Sequence, residues 1–376
     1  MSADILNRRD FLKLGVAVGA AAAVTSVSAP SFAATSCTSL SKCMEMTPVE
    51  MAEASGAVTA SWRNVRHAAA EIRNPAIRHR VEAILENPVP TLTKGMGRSD
   101  KKAIYKELSS KGLIKGVKEA DFLPPVSSYS EAPQPFYSAP GSGYQSHHSY
   151  PGGLATHTDL NVRVSMALYD GYRDVYSYML DRDVVIAAQV LHDLHKPWVF
   201  QWDKNGESRG EQKLAGTGEH HPLGVAESIV RGLPAEVCVA QACAHNHPRT
   251  PEDEAQVVGW IQAASIIAGV DPVKYGLLEK GGKTLPLPRR QEGFVTHLGD
   301  HDWVLTVPAA KWIIPVMGKV AVRDYGISEG DLTKKPFNQF RNYVFSQAPI
   351  MSLYEIYAAQ GEAELVRTVH SIVAPA

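Results

Sequence analysis

Cysteine is scarce, with four in 376 residues, too few for a disulfide scaffold. Cys37 and Cys43 lie where an oxidising compartment permits one small loop-closing bridge, and Cys238 and Cys243 sit in an apolar helical pattern and read as buried thiols. A charge excess of either sign is also missing. With 38 basic against 39 acidic side chains there is no overall field to attract nucleic acid or an anionic membrane, so a small-molecule substrate is expected. No internal repeat and no glycine-rich nucleotide-phosphate motif appears. Past the N-terminus no hydrophobic run is read as reaching spanning length, so no stable membrane anchor is expected.

What is present begins with Asn7-Arg8-Arg9-Asp10-Phe11-Leu12-Lys13, which resembles the twin-arginine export motif. A short apolar run, Leu14 to Val24, and a small-residue cleavage context, Ser31-Phe32-Ala33, follow it. Residues 1–34 are therefore read as a signal peptide recognised by the twin-arginine translocase and removed, leaving the mature chain in the periplasm. That route carries folded proteins, so a metal can be loaded before export.

The chemistry concentrates between His147 and His247, a stretch holding nine of the fourteen histidines. Neutral imidazole is the commonest ligand for borderline metals. His157 heads a helical pattern through Leu160, Val164, Ala167 and Leu168; the apolar run 183–191 ends at His192-Asp193; His221-Pro222 opens another pattern; and Val237 to Ala244 ends at His245. Four helix ends are expected to converge on one centre.

The order His, His-Asp, His-Pro, His resembles the HD-domain superfamily of metal-dependent phosphohydrolases. His147-His-Ser-Tyr-Pro-Gly-Gly-Leu-Ala-Thr-His157-Thr is similar to the first-ligand motif of its exoribonuclease-like members, and His192-Asp-Leu-His-Lys196 to the family's His-Asp-Ile-Gly-Lys. The resemblance covers roughly residues 145–270. It implies an all-α, HD-type helical bundle binding one or two divalent transition metals (Mn, Fe or Zn). The implied ligands are His157, His192, Asp193, His221 and His245, with His220 and His247 as alternatives. A metal-activated water would attack phosphorus, Lys196 would offset phosphoryl charge, and His195 would donate a proton or pack behind the site. The family's last aspartate has no counterpart: Ser265 stands in its place, and Asp271 lies about 240° further round a helix. The carboxylate is missing or comes from elsewhere. Two other readings stay open, an HD-fold di-iron oxygenase and an exported binding protein with a degenerate site.

The rest of the chain is divided around this stretch. Residues 35–122 read as an N-terminal helical segment, 123–146 as a Pro/Ser/Tyr-rich connector, 147–280 as the metal domain, and 281–376 as a C-terminal extension, irregular first and helical in its second half. Alternation of Trp198, Phe200 and Trp202 before Asp203-Lys-Asn-Gly206 predicts a β-hairpin insertion. Trp198 or Trp202 could stack on a substrate ring, with Arg209 or Lys213 meeting its phosphate. His297, Asp300, His301 and Asp302 invite a second metal site, although spacing this tight usually makes turn hydrogen bonds.

Overall fold

The apolar run before His192 has no polar stripe, and a helix built from it must be enclosed on every side. In the computed structural model, which describes residues 37–287 and 291–375, every side chain from Val184 to Leu191 is buried. The export-signal expectation falls outside the described residues. The described residues make up one compact unit.

The architecture is all-α. From the N-terminal side come α1 (Leu40–Glu45), α2 (Pro48–Glu53), α3 (Gly56–Ala70), α4 (Pro75–Glu86) and α5 (Arg98–Ser110). Their starts follow capping chemistry: Thr47 and Glu50 form a reciprocal box at α2, and Asn74 caps α4 ahead of Pro75. The proline-rich stretch follows as irregular chain, tied down by Gln134, whose Nε2 donates to the carbonyls of Pro197 and Phe200 at 3.0 Å each. The central body then comprises α6 (Gly153–Tyr176), α7 (Arg182–Leu191), the single turn α8 (Lys196–Val199), α9 (His220–Val230), α10 (Ala235–Ala242) and α11 (Pro251–Ala268). After it come α12 (Glu292–Gly299), α13 (Trp303–Tyr325), α14 (Lys335–Gln347), α15 (Ile350–Gln360) and α16 (Glu362–Ile372).

Two apolar cores hold these elements. One draws on α3 to α11 and surrounds α7. The other gathers α13 to α16 with Cys43 and Met51 of the first two helices. Strand pairing is confined to two short pieces: Thr38–Ser39 (β1) runs parallel to Val373–Ala374 (β4), and Lys213–Leu214 (β2) forms a hairpin with Thr217–Gly218 (β3).

Several expectations are corrected. The Trp198–Trp202 alternation is a helical turn followed by one isolated bridge, Trp202 to Ser208, because Trp198 is drawn into the core with its Nε1 donating to Pro125 O. The hairpin lies further on, at β2 and β3. Asp203-Lys-Asn-Gly is a side-chain-capped turn, Asp203 Oδ1 accepting from Asn205 N at 2.7 Å and Glu207 N at 3.0 Å. The irregular start expected after residue 281 contains α12. The question the sequence leaves open, whether Cys37 and Cys43 pair, is answered by two free thiols, one turned to His370 O and the other buried in the second core. Finally, Glu292–Tyr325 is long and apolar enough to cross a membrane by length and composition alone, and half of its most apolar stretch is buried inside the protein.

Candidate metal centre

Two close approaches bring the site's elements together. Gly152 has φ 88°, and a Cβ there would sit 2.4 Å from Val58; a Cβ on Gly153 would sit 2.0 Å from His148 O. The Pro-Gly-Gly turn can therefore press the start of α6 against α3 and the His147–His148 loop, which sets His157 one turn into the helix. At Gly299 a Cβ would lie 2.0 Å from Ser165 Oγ. Only glycine lets α12 close on α6 and deliver Asp300, whose Oδ1 accepts from Asn161 Nδ2 at 3.0 Å.

The centre that results is compact. His157 Nε2 lies 3.2 Å from His192 Nε2, 3.2 Å from Asp193 Oδ2 and 3.1 Å from Asp300 Oδ1. His192 Nε2 is 3.1 Å from Asp193 Oδ2 and 3.4 Å from Asp300 Oδ1. On the other side of Asp193, its Oδ1 is 3.4 Å from His220 Nε2 and 4.0 Å from His245 Nε2, and His245 Nε2 is 3.5 Å from Asp300 Oδ2. Two donor groups thus adjoin, His157/His192/Asp300 and Asp193/His220/His245, each with its ligating atoms within 4.8 Å of one another.

The imidazoles are held in a ligating orientation. His192 Nδ1 faces Gln189 O at 2.7 Å, His220 Nδ1 faces Glu211 Oε2 at 2.6 Å, and His157 Nδ1 faces Asp302 Oδ1 at 3.4 Å. With Nδ1 directed outward to an acceptor, each Nε2 is directed to the centre, where a metal ion would displace its proton, the arrangement that second-shell acceptors impose on metal-bound histidine. Asp193 is buried, and among the described residues neither of its oxygens accepts a hydrogen bond of proper geometry, although the Lys196 ammonium touches it as an ion pair. Burial would raise its pKa, yet His192, Lys196 and His157 hold it well below the usual carboxylate range. Burial would likewise depress His192 and His220, but Asp193 with Asp300 lifts the first to about 9, and Glu211 with Asp193 lifts the second to about 9. The field at the centre favours positive charge. A nitrogen- and oxygen-only donor set of this kind fits a divalent transition ion.

Of the residues read as ligands, His157, His192, Asp193 and His245 are brought together, joined by His220 from the alternatives. His221 turns away: its Nε2 meets Ala242 O at 3.0 Å, its ring stacks on His245 with centroids 4.2 Å apart, and burial with the neighbouring His220 pushes its pKa down to about 3. His247 packs outside the centre between Phe294 and His297. Ser265 belongs to the far face of α11, and Asp271 caps an exposed turn through Val273 N and Lys274 N. Asp300 brings a second carboxylate to the centre beside Asp193, its Oδ1 facing His157 and His192. Asp302 is not a mere turn residue either, since its Oδ2 accepts from His148 Nε2 at 2.8 Å while its Oδ1 faces His157.

A cavity of about 390 Å³ opens over the centre, with His147, Lys196, Phe200, Glu211 and Trp303 among its walls. The residues expected to meet substrate lie elsewhere. His195 faces Glu227 and the edge of Trp198; Trp202 Nε1 donates to Ser138 O; Arg209 is paired with Glu219 Oε1 at 2.7 Å; Lys213 is exposed on β2. For Trp202, Arg209 and Lys213 the reason is shared, each polar tip having found a protein partner or open water before the cavity, while His195 is buried against Glu227 at 3.5 Å.

Comparison with known proteins adds two findings. Residues 6–25 match the TAT (twin-arginine translocation) pathway signal sequence family, which marks the chain for export across the cytoplasmic membrane. The chain is also similar to the dihydroneopterin 2',3'-cyclic phosphate phosphodiesterase of Methanocaldococcus jannaschii, at 31% identity over 121 residues, 31% of this chain and 48% of the relative. The chain thus spans about half the length of the curated relative it matches. No solved structure matches it.

Proposed function

We propose that the chain is an HD-type metal-dependent hydrolase that opens or cleaves a small phosphoester, working in the periplasm after export. The observation that carries this reading is the set of imidazoles whose Nδ1 atoms are tied outward while their Nε2 atoms converge on Asp193 and Asp300. We assign His157, His192 and Asp300 to one ion, and His220 and His245 to a second, with Asp193 between them. Manganese, iron or zinc held there supplies Lewis acidity toward a phosphoryl oxygen and acidifies a water for attack on phosphorus.

The chain's own groups do the rest. Lys196, fixed against Asp193 and Gly141 O, presents fixed positive charge to the phosphoryl oxygens. His147 lies across the cavity with Nδ1 against Ser146 Oγ at 2.9 Å, and burial pushes its pKa down to about 2, so it offers a hydrogen bond rather than a charge. Phe200 and Trp303 wall the space beyond the phosphate and give it an apolar lining. A cyclic phosphodiester is the substrate class supported by the relative's activity.

The test is elemental analysis of the mature protein together with ring-opening of 2',3'-cyclic phosphodiesters followed by phosphorus NMR. One to two equivalents of metal and metal-dependent ring-opening are expected, both lost in His192→Ala/Asp193→Ala. Metal-free protein, or a metalloprotein that consumes dioxygen and leaves the diesters intact, would overturn the reading.

A further inference from the structure

The outward face of α13 departs from the rule for a surface helix. Such a helix turns an apolar stripe inward and polar side chains to water. Here Thr306, Ala309, Ala310, Ile313, Val316 and Met317 face inward, as expected, yet the outer side is apolar too. Val304 is 51% exposed, Leu305 66% and Trp312 58%, and Pro308 and Pro315 are exposed beside them. At about 100° per residue these positions fall within roughly 120° of arc, a single stripe. Lys311 and Lys319 lie within the same arc, and no acidic residue occurs from Trp303 to Val322. Trp303, at the first position of α13 and 51% exposed, lies outside this arc and walls the cavity over the metal centre.

We propose that this face of α13 docks peripherally on an anionic lipid surface. An apolar stripe carrying tryptophan, flanked by lysine and free of acid, has the composition of an element lying in the membrane interface. Tryptophan rings settle at headgroup depth, and lysine stems lie along apolar surface while their ammonium groups reach anionic headgroups. An interface between two copies would be depleted of lysine at its centre, whereas Lys319 falls inside this arc between Pro308 and Trp312, and Lys311 borders the stripe at mid-length. The inner half of α13 stays packed in the second core, so the contact is reversible and distinct from a spanning anchor. This inference concerns the surface alone and holds whatever reaction the centre performs.

The experiment is flotation of the mature protein with phosphatidylcholine vesicles, with and without phosphatidylglycerol, at low and high salt. We expect binding to the phosphatidylglycerol vesicles, weakened by salt, with a blue shift of tryptophan emission. Lys311→Glu/Lys319→Glu and Leu305→Ser/Trp312→Ser should each lower the bound fraction at least tenfold while leaving the circular dichroism of the protein unchanged. Absence of flotation with both vesicle types, or binding indifferent to salt and to both double variants, would overturn the proposal. A concentration-dependent dimer in sedimentation velocity that Leu305→Ser/Trp312→Ser dissociates, without vesicle binding, would give the face to a second copy and overturn it as well. Should a variant fail to fold, the salt and headgroup dependence of the unsubstituted protein still decides.

Discussion

Asp193 and Glu227 are both buried carboxylates facing histidine, and they differ in what surrounds them. Glu227 is satisfied by the protein: its oxygens accept from Thr91 N and Oγ1, from Leu92 N at 2.8 Å and from Arg231 Nε at 2.7 Å. Asp193 is ringed by imidazole nitrogens that have spent their Nδ1 protons elsewhere, and no hydrogen bond of proper geometry reaches it among the described residues. A buried charge costs several kcal/mol unless it is paired and hydrogen-bonded. The Glu227 region meets that condition with donors of its own and fastens residues 91–92 to α9. The Asp193 region holds its charge with imidazoles whose inward protons a metal ion can displace, which is how a chain stores affinity for a cation.

The comparison breaks most sharply at Asp193. Asp193→Ala should abolish metal retention and lower turnover by at least about 10³-fold, since it removes the group shared by both donor sets. In chelator-treated protein the same substitution should also lower the melting temperature, because it leaves the buried Lys196 ammonium and His192 without the carboxylate that pairs them. Elemental analysis and melting curves with and without chelator check both halves. A metal-retaining Asp193→Ala protein would show that the two carboxylates do not differ in kind.

Glu227→Gln should touch the fold alone, costing on the order of 3 kcal/mol of stability in urea unfolding while metal content stays intact. The acid limb follows. Burial would raise the Glu227 pKa, but His195, Thr91 and Arg231 bring it down from 4.5 to about 2. A carboxylate whose folded pKa is depressed stabilises the fold above its unfolded value and loses that contribution as pH falls toward the folded one. The unsubstituted protein should therefore lose on the order of 3 kcal/mol between about pH 4.5 and pH 2, and Glu227→Gln should flatten that window in urea midpoints taken across it.

Sequence periodicity already carries the all-α architecture, because long apolar patterns at helical spacing leave little else for α6, α7 and α11 to become. It reads the site less completely, for identifiable reasons. His220 and His221 are neighbours about 100° apart on one helix. Which of them turns inward depends on the roll of α9, and that is set by Glu211 drawing His220 and by Trp260 receiving the edge of His221. Asp300 follows a helix whose approach depends on Gly299 meeting Ser165, a contact between segments far apart in the chain. Its tight company with His297 and Asp302 did signal ligation, but the same spacing describes a turn. Trp198 and Trp202 show the limit of alternation as evidence for a strand, since the core claimed one and Ser138 O the other.

The smallest effect that still separates the two regions is expected at Glu211. This carboxylate pairs with His220 much as Glu227 pairs with Arg231, so it looks structural, but its partner aims the other nitrogen at Asp193. Glu211 lines the cavity; burial would raise its pKa and His220 lowers it, so it stays ionised and keeps the His220 Nδ1 proton in place. Glu211→Gln retains the shape and can still accept one hydrogen bond, but it weakens the charge-assisted pairing that raises the basicity of Nε2. Loss of such an outer partner typically lowers metal affinity 10–100-fold, about 1.4–2.7 kcal/mol. Competition with a chelating dye should show that loss for one ion of the pair, with the unfolding midpoint of chelated protein moving little. A large stability loss with unchanged metal affinity would instead place Glu211 with Glu227, as a group that holds the fold together.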